Sequence, residues 1–164
     1  MSVMNQFGEI HGVDLIEESL RKAQSMGIKT AACNLNEQPL PYPENYFDVV
    51  TSLAVIGQIF DPYFVLSEIH RVLKSRGVLI LNVPNVASFS NRVRLLFGRT
   101  PVTSRDPGWD GGQLHYFTLY DTKRVLISAG FVVEKVLSSG GGRAFRQLWP
   151  SLLSGALTFR AVKQ

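Results

Sequence analysis

The chain has 164 residues, of which 45% are hydrophobic and 18% charged, and its net charge is +4. These values are typical of a single globular domain covering residues 1–164. No apolar run is long enough for a transmembrane helix. The first residues lack the basic and apolar regions of a signal peptide, and the single cysteine excludes an internal disulfide, so we expect a cytoplasmic protein.

The first elements are predicted as strand, helix and strand. Residues 9–14 predict a strand that ends in a carboxylate, Asp14. A helix is expected from about 16 to 26, with acidic residues in its first turn and a glycine closing it. Residues 28–33 predict a second strand. Cys33, at its end, has no basic neighbour and is interpreted as a packing residue.

The strongest pattern lies in residues 47–85. Apolar residues 47–53 predict a strand buried on both faces, and residues 78–83 predict another. Between them, Asp61 and a proline predict the N-cap and first residue of a helix, which Gly77 is expected to close in the left-handed C′ conformation. A strand, helix and strand in this order predict a crossover between parallel strands, and therefore an α/β fold.

The later residues predict a less regular arrangement. We expect a helix over 86–98 and a lid-like loop over 99–114, so that residues 86–118 form a substrate region. Thr118 and Asp121 predict the start of a further helix, which ends before a glycine. Strands are predicted at 131–137 and 157–162, with Gly140–Gly142 as a turn between them.

Four arginines are clustered in this region, at positions 92, 94, 99 and 105, and apolar residues are interleaved with them. One interpretation is an amphipathic helix with a solvated basic face. The other is a lip that attracts a phosphate- or carboxylate-bearing substrate, which would make the substrate anionic. No nucleic-acid partner is expected, because no recognisable DNA- or RNA-binding module surrounds the cluster.

Four segments carry a resemblance to a known family: GVDLIEESLRKA, NLNEQPLPYPENYFDVV, DPYFVLSEIHRVLKSRGVLILNVPN and HYFTLYDTKRVLISAGF. In their order and spacing they resemble the class I S-adenosylmethionine-dependent methyltransferases, in particular the small-molecule, type 11/12-like branch. The resemblance implies a Rossmann-like, mostly parallel sheet with helices on both faces. It places the first four predicted strands in one sheet and makes the last two antiparallel to each other.

The resemblance also implies S-adenosyl-L-methionine as cofactor and a small-molecule acceptor. Asp14 would accept hydrogen bonds from the ribose hydroxyls, as in dinucleotide sites, or would cap the following helix. Asn34 and Leu35 match the loop that contacts the adenine edge, and the end of the strand at 47–53 matches the floor of the methionine half. No metal site is predicted. The predicted cofactor residues are Asp14, Leu15, Asn34, Leu35, Ser52, Leu53 and Ala54.

Two departures from the family pattern affect the predicted chemistry. The family's first strand, first helix and glycine-rich loop have no counterpart before Gly8, so we expect a truncated domain. Gly57 and Gln58 stand where many relatives carry Glu-His, and a glutamine side chain is not a base at neutral pH. His115 is then the candidate catalytic base. The alternative is that His115 orders its loop through backbone hydrogen bonds.

Two other functions are compatible with the same residues. The chain could be a catalytically silent partner that binds another protein, or a second copy of itself, through exposed sheet edges. A nicotinamide-dinucleotide enzyme would also use a carboxylate such as Asp14, but the glycine fingerprint of that class is missing. The sequence does not identify the methyl acceptor.

Overall fold

The computed structural model describes residues 8–103, 113–139 and 148–164. The predicted turn at Gly140–Gly142 and the greater part of the predicted lid, residues 104–112, lie outside the described residues. The chain divides into two compact units, residues 1–41 and 42–164. No helix within the described ranges is long and apolar enough to cross a membrane.

The first unit is built on two parallel strands joined by a helix. These elements are β1 (His11–Asp14), α1 (Glu17–Ser25) and β2 (Lys29–Ala32). Leu20 of α1, Cys33 and Leu40 are buried, so Cys33 is a packing residue, as predicted. The N–H of Cys33 donates to the carbonyl oxygen of Asp14 over 3.1 Å, which extends the ladder to the carboxyl end of β1.

The second unit contains a four-stranded sheet in the order β3-β4-β6-β5. β3 and β4 are parallel, whereas β4 and β6, and β6 and β5, are antiparallel. The α/β fold class and the antiparallel last pair are therefore confirmed. The elements in chain order are β3 (Phe47–Leu53), a 3-10 helix (Ile56–Gln58), α2 (Pro62–Val72), β4 (Leu73–Pro84), α3 (Phe89–Leu96), α4 (Leu119–Ser128), β5 (Phe131–Ser139), α5 (Pro150–Leu153) and β6 (Ala156–Lys163).

The expectation that the first four strands share one sheet is wrong. β1 pairs with β2 and β3 pairs with β4, each pair parallel, but the two pairs belong to separate sheets. Strands join one sheet only through hydrogen-bonded neighbours about 4.8 Å apart. The described residues supply no strand that bonds to both β1 and β3, so the pairs remain separate.

The start of α2 is as predicted, and its end is not. The carboxylate of Asp61 accepts the N–H groups of Tyr63 and Phe64 over 3.0 and 3.1 Å, so Asp61 is the N-cap. The helix ends at Val72, and Gly77 lies within β4. A side chain at Gly77 would place its Cβ 2.8 Å from the carbonyl oxygen of Lys74, so the glycine permits close packing and does not close the helix.

Buried asparagines organise the chain where β4 ends. Asn85 is 1% exposed, and its amide nitrogen donates to the carbonyl oxygens of Ser151 and Ser154 over 3.0 and 2.8 Å. Asn91 of α3 is also buried, and its side-chain oxygen accepts the N–H of Val102 over 2.9 Å. Because buried polar groups need partners, these bonds fix α5 from its first turn to its C-cap, and they fix the chain after α3.

Candidate functional site

Asp14 lies at the carboxyl end of β1 and is exposed. Its Oδ1 accepts the N–H of Ile16 over 2.9 Å and so shapes the turn before α1. Ile16 is the N-cap residue of α1 and its side chain makes no capping bond, so Asp14 bonds the N–H of the N-cap residue without being the N-cap itself. Among the described residues the second carboxylate oxygen has no partner. Asp14 therefore keeps free acceptor capacity beside the exposed Leu15.

The loop after β2 is a tight turn built on Asn34. Its Oδ1 accepts the N–H of Asn36 over 3.1 Å, and its own N–H donates to Oε1 of Gln38 over 3.0 Å. An amide oxygen has two lone pairs, so one remains after the bond from Asn36. The N–H of the half-buried Leu35 has no acceptor within the described part of the chain. This turn can thus offer one donor and one acceptor to a ligand.

In the second unit, β3 ends in three residues with different surroundings. Ser52 is buried, Leu53 is exposed, and Ala54 has a left-handed φ of 59°. The left-handed conformation costs a non-glycine residue about 1–2 kcal/mol. The N–H of Ala54 donates to the carbonyl oxygen of Asn82 over 3.0 Å, which holds this turn against β4. Strain of this kind is frequent at functional sites.

His115 is held at the segment that follows β3. The N–H groups of Leu114 and His115 both donate to the carbonyl oxygen of Gly57, over 2.7 and 3.0 Å. A Cβ at Gly57 would overlap the side chain of Gln113 and would lie 3.2 Å from the carbonyl oxygen of His115. The close approach of these two segments explains why a glycine occupies position 57 instead of a larger residue.

The ring of His115 is oriented by one hydrogen bond. Its Nε2 lies 3.1 Å from the carbonyl oxygen of Phe60. A carbonyl oxygen only accepts, so Nε2 carries the proton in this bond, and the Nδ1 of the neutral ring has a free lone pair. His115 therefore orders its loop, as in the alternative interpretation. The same bond leaves a nitrogen that can accept a proton.

A cleft of about 540 Å³ opens beside His115, within the size range of small-molecule sites. Its walls are mainly aromatic and apolar. They include two carboxylates and no lysine or arginine among the described residues. Asp61 caps α2, and Oδ2 of Asp121 accepts from Oγ1 of Thr118 over 2.6 Å. The lining consists of Phe60, Asp61, Pro62, Tyr63, Leu114, His115, Tyr116, Phe117, Asp121 and Val125.

The sequence prediction missed most of this lining. Phe60, Tyr63 and Tyr116 were not among the predicted site residues, although they neighbour the N-cap of α2 and His115 in sequence. One signal could have identified them: aromatic residues lie next to the start of a helix that follows a parallel strand. Ligands bind at the carboxyl ends of such strands.

The predicted basic cluster lies elsewhere in the second unit. Arg94 and Arg99 line a separate depression of about 450 Å³, together with Val93 and Phe97. Arg92 is on α3, and Arg105 lies outside the described residues. No arginine contributes to the described lining of the His115 cleft. Arg92, Arg94 and Arg99 therefore do not form a lip on that cleft.

Comparison with known proteins adds evidence from sequence. Residues 1–81 match the family model described as "Methyltransferase domain". An arginine-hydroxylase of Rattus norvegicus, NDUFAF5, is 36% identical over 73 residues, which cover 44% of this chain and 21% of that protein. A probable S-adenosylmethionine-dependent methyltransferase of Mycolicibacterium smegmatis is 27% identical over 156 residues, which cover 86% of this chain and 55% of that protein. The chain thus spans about a fifth of the length of the first relative and about half of the length of the second.

A similar fold occurs among solved structures. The chain superposes on a Thermotoga maritima protein described as an S-adenosylmethionine-dependent methyltransferase, possibly a histamine N-methyltransferase, with a TM-score of 0.72. The alignment covers 94% of this chain and 73% of the Thermotoga chain, at 20% sequence identity. At this identity the likeness is one of fold.

Proposed function

We propose that this chain, which belongs to the class I S-adenosylmethionine-dependent methyltransferase family, transfers a methyl group from S-adenosylmethionine to a small-molecule acceptor. When bound, this cofactor supplies an electrophilic methyl group on a sulfonium centre. The protein then has to align the acceptor and, for a weak nucleophile, accept its proton.

The free acceptor capacity of Asp14 is the observation that carries this proposal. Two vicinal ribose hydroxyls need two acceptor positions, and the carboxylate offers an unused oxygen and the remaining lone pair of Oδ1. Leu15 would give an apolar contact beside the ribose. In the loop after β2, the N–H of Leu35 would donate to the adenine edge, and Oδ1 of Asn34 would accept from its amino group.

Within the second unit, Ser52, Leu53 and Ala54 remain cofactor residues predicted from the family resemblance. Their support is their place at the carboxyl end of β3, a strand of a parallel pair, because open α/β sheets bind ligands at such ends. The left-handed Ala54 turns the chain there, and both Leu53 and Ala54 are exposed.

The acceptor is proposed to bind in the cleft beside His115. Its aromatic walls favour a planar ring, and the carboxylates of Asp61 and Asp121 favour a neutral or amine-bearing acceptor over the anionic acceptor that the arginine cluster suggested. His115 would accept the proton of the acceptor on Nδ1 while its Nε2–H bond to Phe60 holds the ring.

The proposal is tested by the thermal shift that S-adenosylhomocysteine produces in the wild type and in two variants. A ligand that binds the native state raises the unfolding temperature. Asp14→Asn keeps an oxygen for the N–H of Ile16 but removes the charge. Asp48→Asn is the control: it removes the same charge from an exposed residue near the amino end of β3, where Asp48 pairs with Lys74 over 2.8 Å.

We expect a shift in the wild type and in Asp48→Asn, and a much smaller one in Asp14→Asn. Equal shifts in all three proteins would contradict the role of Asp14. Absence of a shift in the wild type would contradict cofactor binding and would favour a protein that acts through a partner.

A further inference from the structure

An apolar stripe on α3 faces away from the protein. Phe89, Val93 and Leu96 of α3, with Phe97 at its C-cap, recur at the spacing that places side chains on one face of a helix. Their exposed fractions are 58%, 37%, 81% and 74%. Of the eight residues of α3, all of them described, Asn91 alone is buried, and it marks the opposite face. A helix of a globular protein normally buries its apolar face, whereas α3 exposes this face to solvent.

Arginines flank the stripe on both sides. At 100° per residue, Arg92 and Arg94 project on either side of the line through Val93 and Leu96. The Nε–H of Arg92 donates to the carbonyl oxygen of Ala87 over 2.8 Å, and the Nε–H of Arg94 donates to that of Thr100 over 2.9 Å. Neither these two arginines nor Arg99 forms an ion pair among the described residues.

The surrounding sequence is also entirely without acids. Between Glu68 and Asp106 there is no aspartate or glutamate. Nothing within that segment neutralises the guanidinium groups, so the apolar stripe and its flanks attract an anionic, apolar partner.

We propose that α3 and the turn after it dock on a bilayer surface that contains acidic phospholipids. The apolar stripe would enter the boundary between headgroups and acyl chains, and the arginines would contact lipid phosphates. The depression lined by Val93, Arg94, Phe97 and Arg99 combines an apolar floor with two cations, as a phospholipid headgroup and the start of its chain require. The helix lies on the surface and does not span it.

A second copy of the chain fits this surface less well. An eight-residue helix is about 12 Å long and about 10 Å wide, so its face covers on the order of 120 Å² in projection. A stable interface takes about 800 Å² from each partner. A two-fold pairing of the stripes would also bring the arginines of both copies together.

The test is co-sedimentation with vesicles of phosphatidylcholine, with and without phosphatidylglycerol, at low and high salt. We expect binding to the phosphatidylglycerol vesicles that falls with salt. Leu96→Ser should weaken it about tenfold, because the leucine side chain would no longer enter the apolar part of the bilayer. Arg94→Gln should weaken it about fivefold. Ile127→Ser on α4, which replaces another exposed aliphatic residue, is the control and should bind as the wild type does.

Three results would overturn the proposal. The first is no binding to either vesicle by a wild type with a normal unfolding temperature. The second is equal loss of binding in Leu96→Ser and Ile127→Ser. The third is a dimer in light scattering without vesicles that Leu96→Ser dissociates, which would assign the stripe to a second copy. The substituted side chains are exposed, so the variants should fold as the wild type does. Unfolding temperatures equal to that of the wild type would show that a loss of binding is not caused by misfolding.

Discussion

The Nε2 of His115 lies 3.1 Å from the main-chain oxygen of Phe60, two residues before the start of α2. This bond joins the segment after the predicted lid to the segment after β3. It also selects the tautomer in which Nδ1 is unprotonated. This contact orders the loop, and it leaves Nδ1 available for the proposed role as base.

The roles separate in His115→Gln, given an acceptor that supports release of S-adenosylhomocysteine. The amide of glutamine still donates to the carbonyl oxygen of Phe60 but cannot take up a proton. If His115 is the base, both His115→Gln and His115→Ala should lower turnover about 100-fold, with little change in cofactor binding. Wild-type turnover in His115→Gln, with loss only in His115→Ala, would leave His115 with a positioning role.

Gly130 is expected to be less tolerant of alanine than Gly98. Both have left-handed φ values, 86° and 67°, so alanine at either costs about 1–2 kcal/mol of unfolding free energy. A Cβ at Gly130 would also lie 2.9 Å from Nε2 of His70, whereas nothing lies within 4 Å at Gly98. Overpacking should add about 1–3 kcal/mol to the loss in Gly130→Ala. Urea unfolding measures the difference, and equal losses in the two variants would contradict this account.

His70 makes stability depend on pH. Burial, followed by the charge of Lys163, lowers the pKa of His70 from its usual 6.5. The unfolded chain then binds a proton more readily than the folded one, so the folded state loses stability as pH falls from about 6.5 toward the folded pKa. Above pH 6.5 His70 is neutral in both states, and this loss of stability is absent. In urea unfolding at several pH values, His70→Gln should lose less stability than the wild type over this window. Parallel curves would rule out the role of His70.

Asp61 is expected to stabilise α2 through its cap. Asp61→Ala removes the acceptor of two N–H groups and should lower the free energy of unfolding by about 1 kcal/mol. Asp61→Asn keeps an amide oxygen in the same place and should lose only a small part of this. A loss in Asp61→Asn as large as in Asp61→Ala would show that the charge, and not the capping bond, is what matters.

The features predicted correctly from sequence depend on residues close together in the chain. Asp61 caps residues two and three positions ahead, and Oγ1 of Thr118 accepts the N–H of Asp121 over 3.2 Å as the capping pattern predicts. The parallel pairing of β3 and β4 follows from the helix between them. Such signals are local, so a sequence shows them directly.

The features that were missed depend on distant residues. The partners of Asn85 are Ser151 and Ser154, and the segment of His115 is held by Gly57. Gly77 was assigned a left-handed conformation, but it is the neighbouring Arg76, within β4, that has a left-handed φ of 62°. No local pattern encodes these contacts. The proposed cofactor residues remain a prediction, since their role depends on a ligand.

Calorimetric titration with S-adenosylhomocysteine tests the central claim most directly. The account predicts saturable binding at one site by the wild type. It predicts that Asp14→Ala weakens this binding by about 1.5–3 kcal/mol, the range for hydrogen bonds to a charged group. Asp48→Ala should bind as the wild type does. No heat from the folded wild type at millimolar ligand would contradict the claim, and so would unchanged affinity in Asp14→Ala.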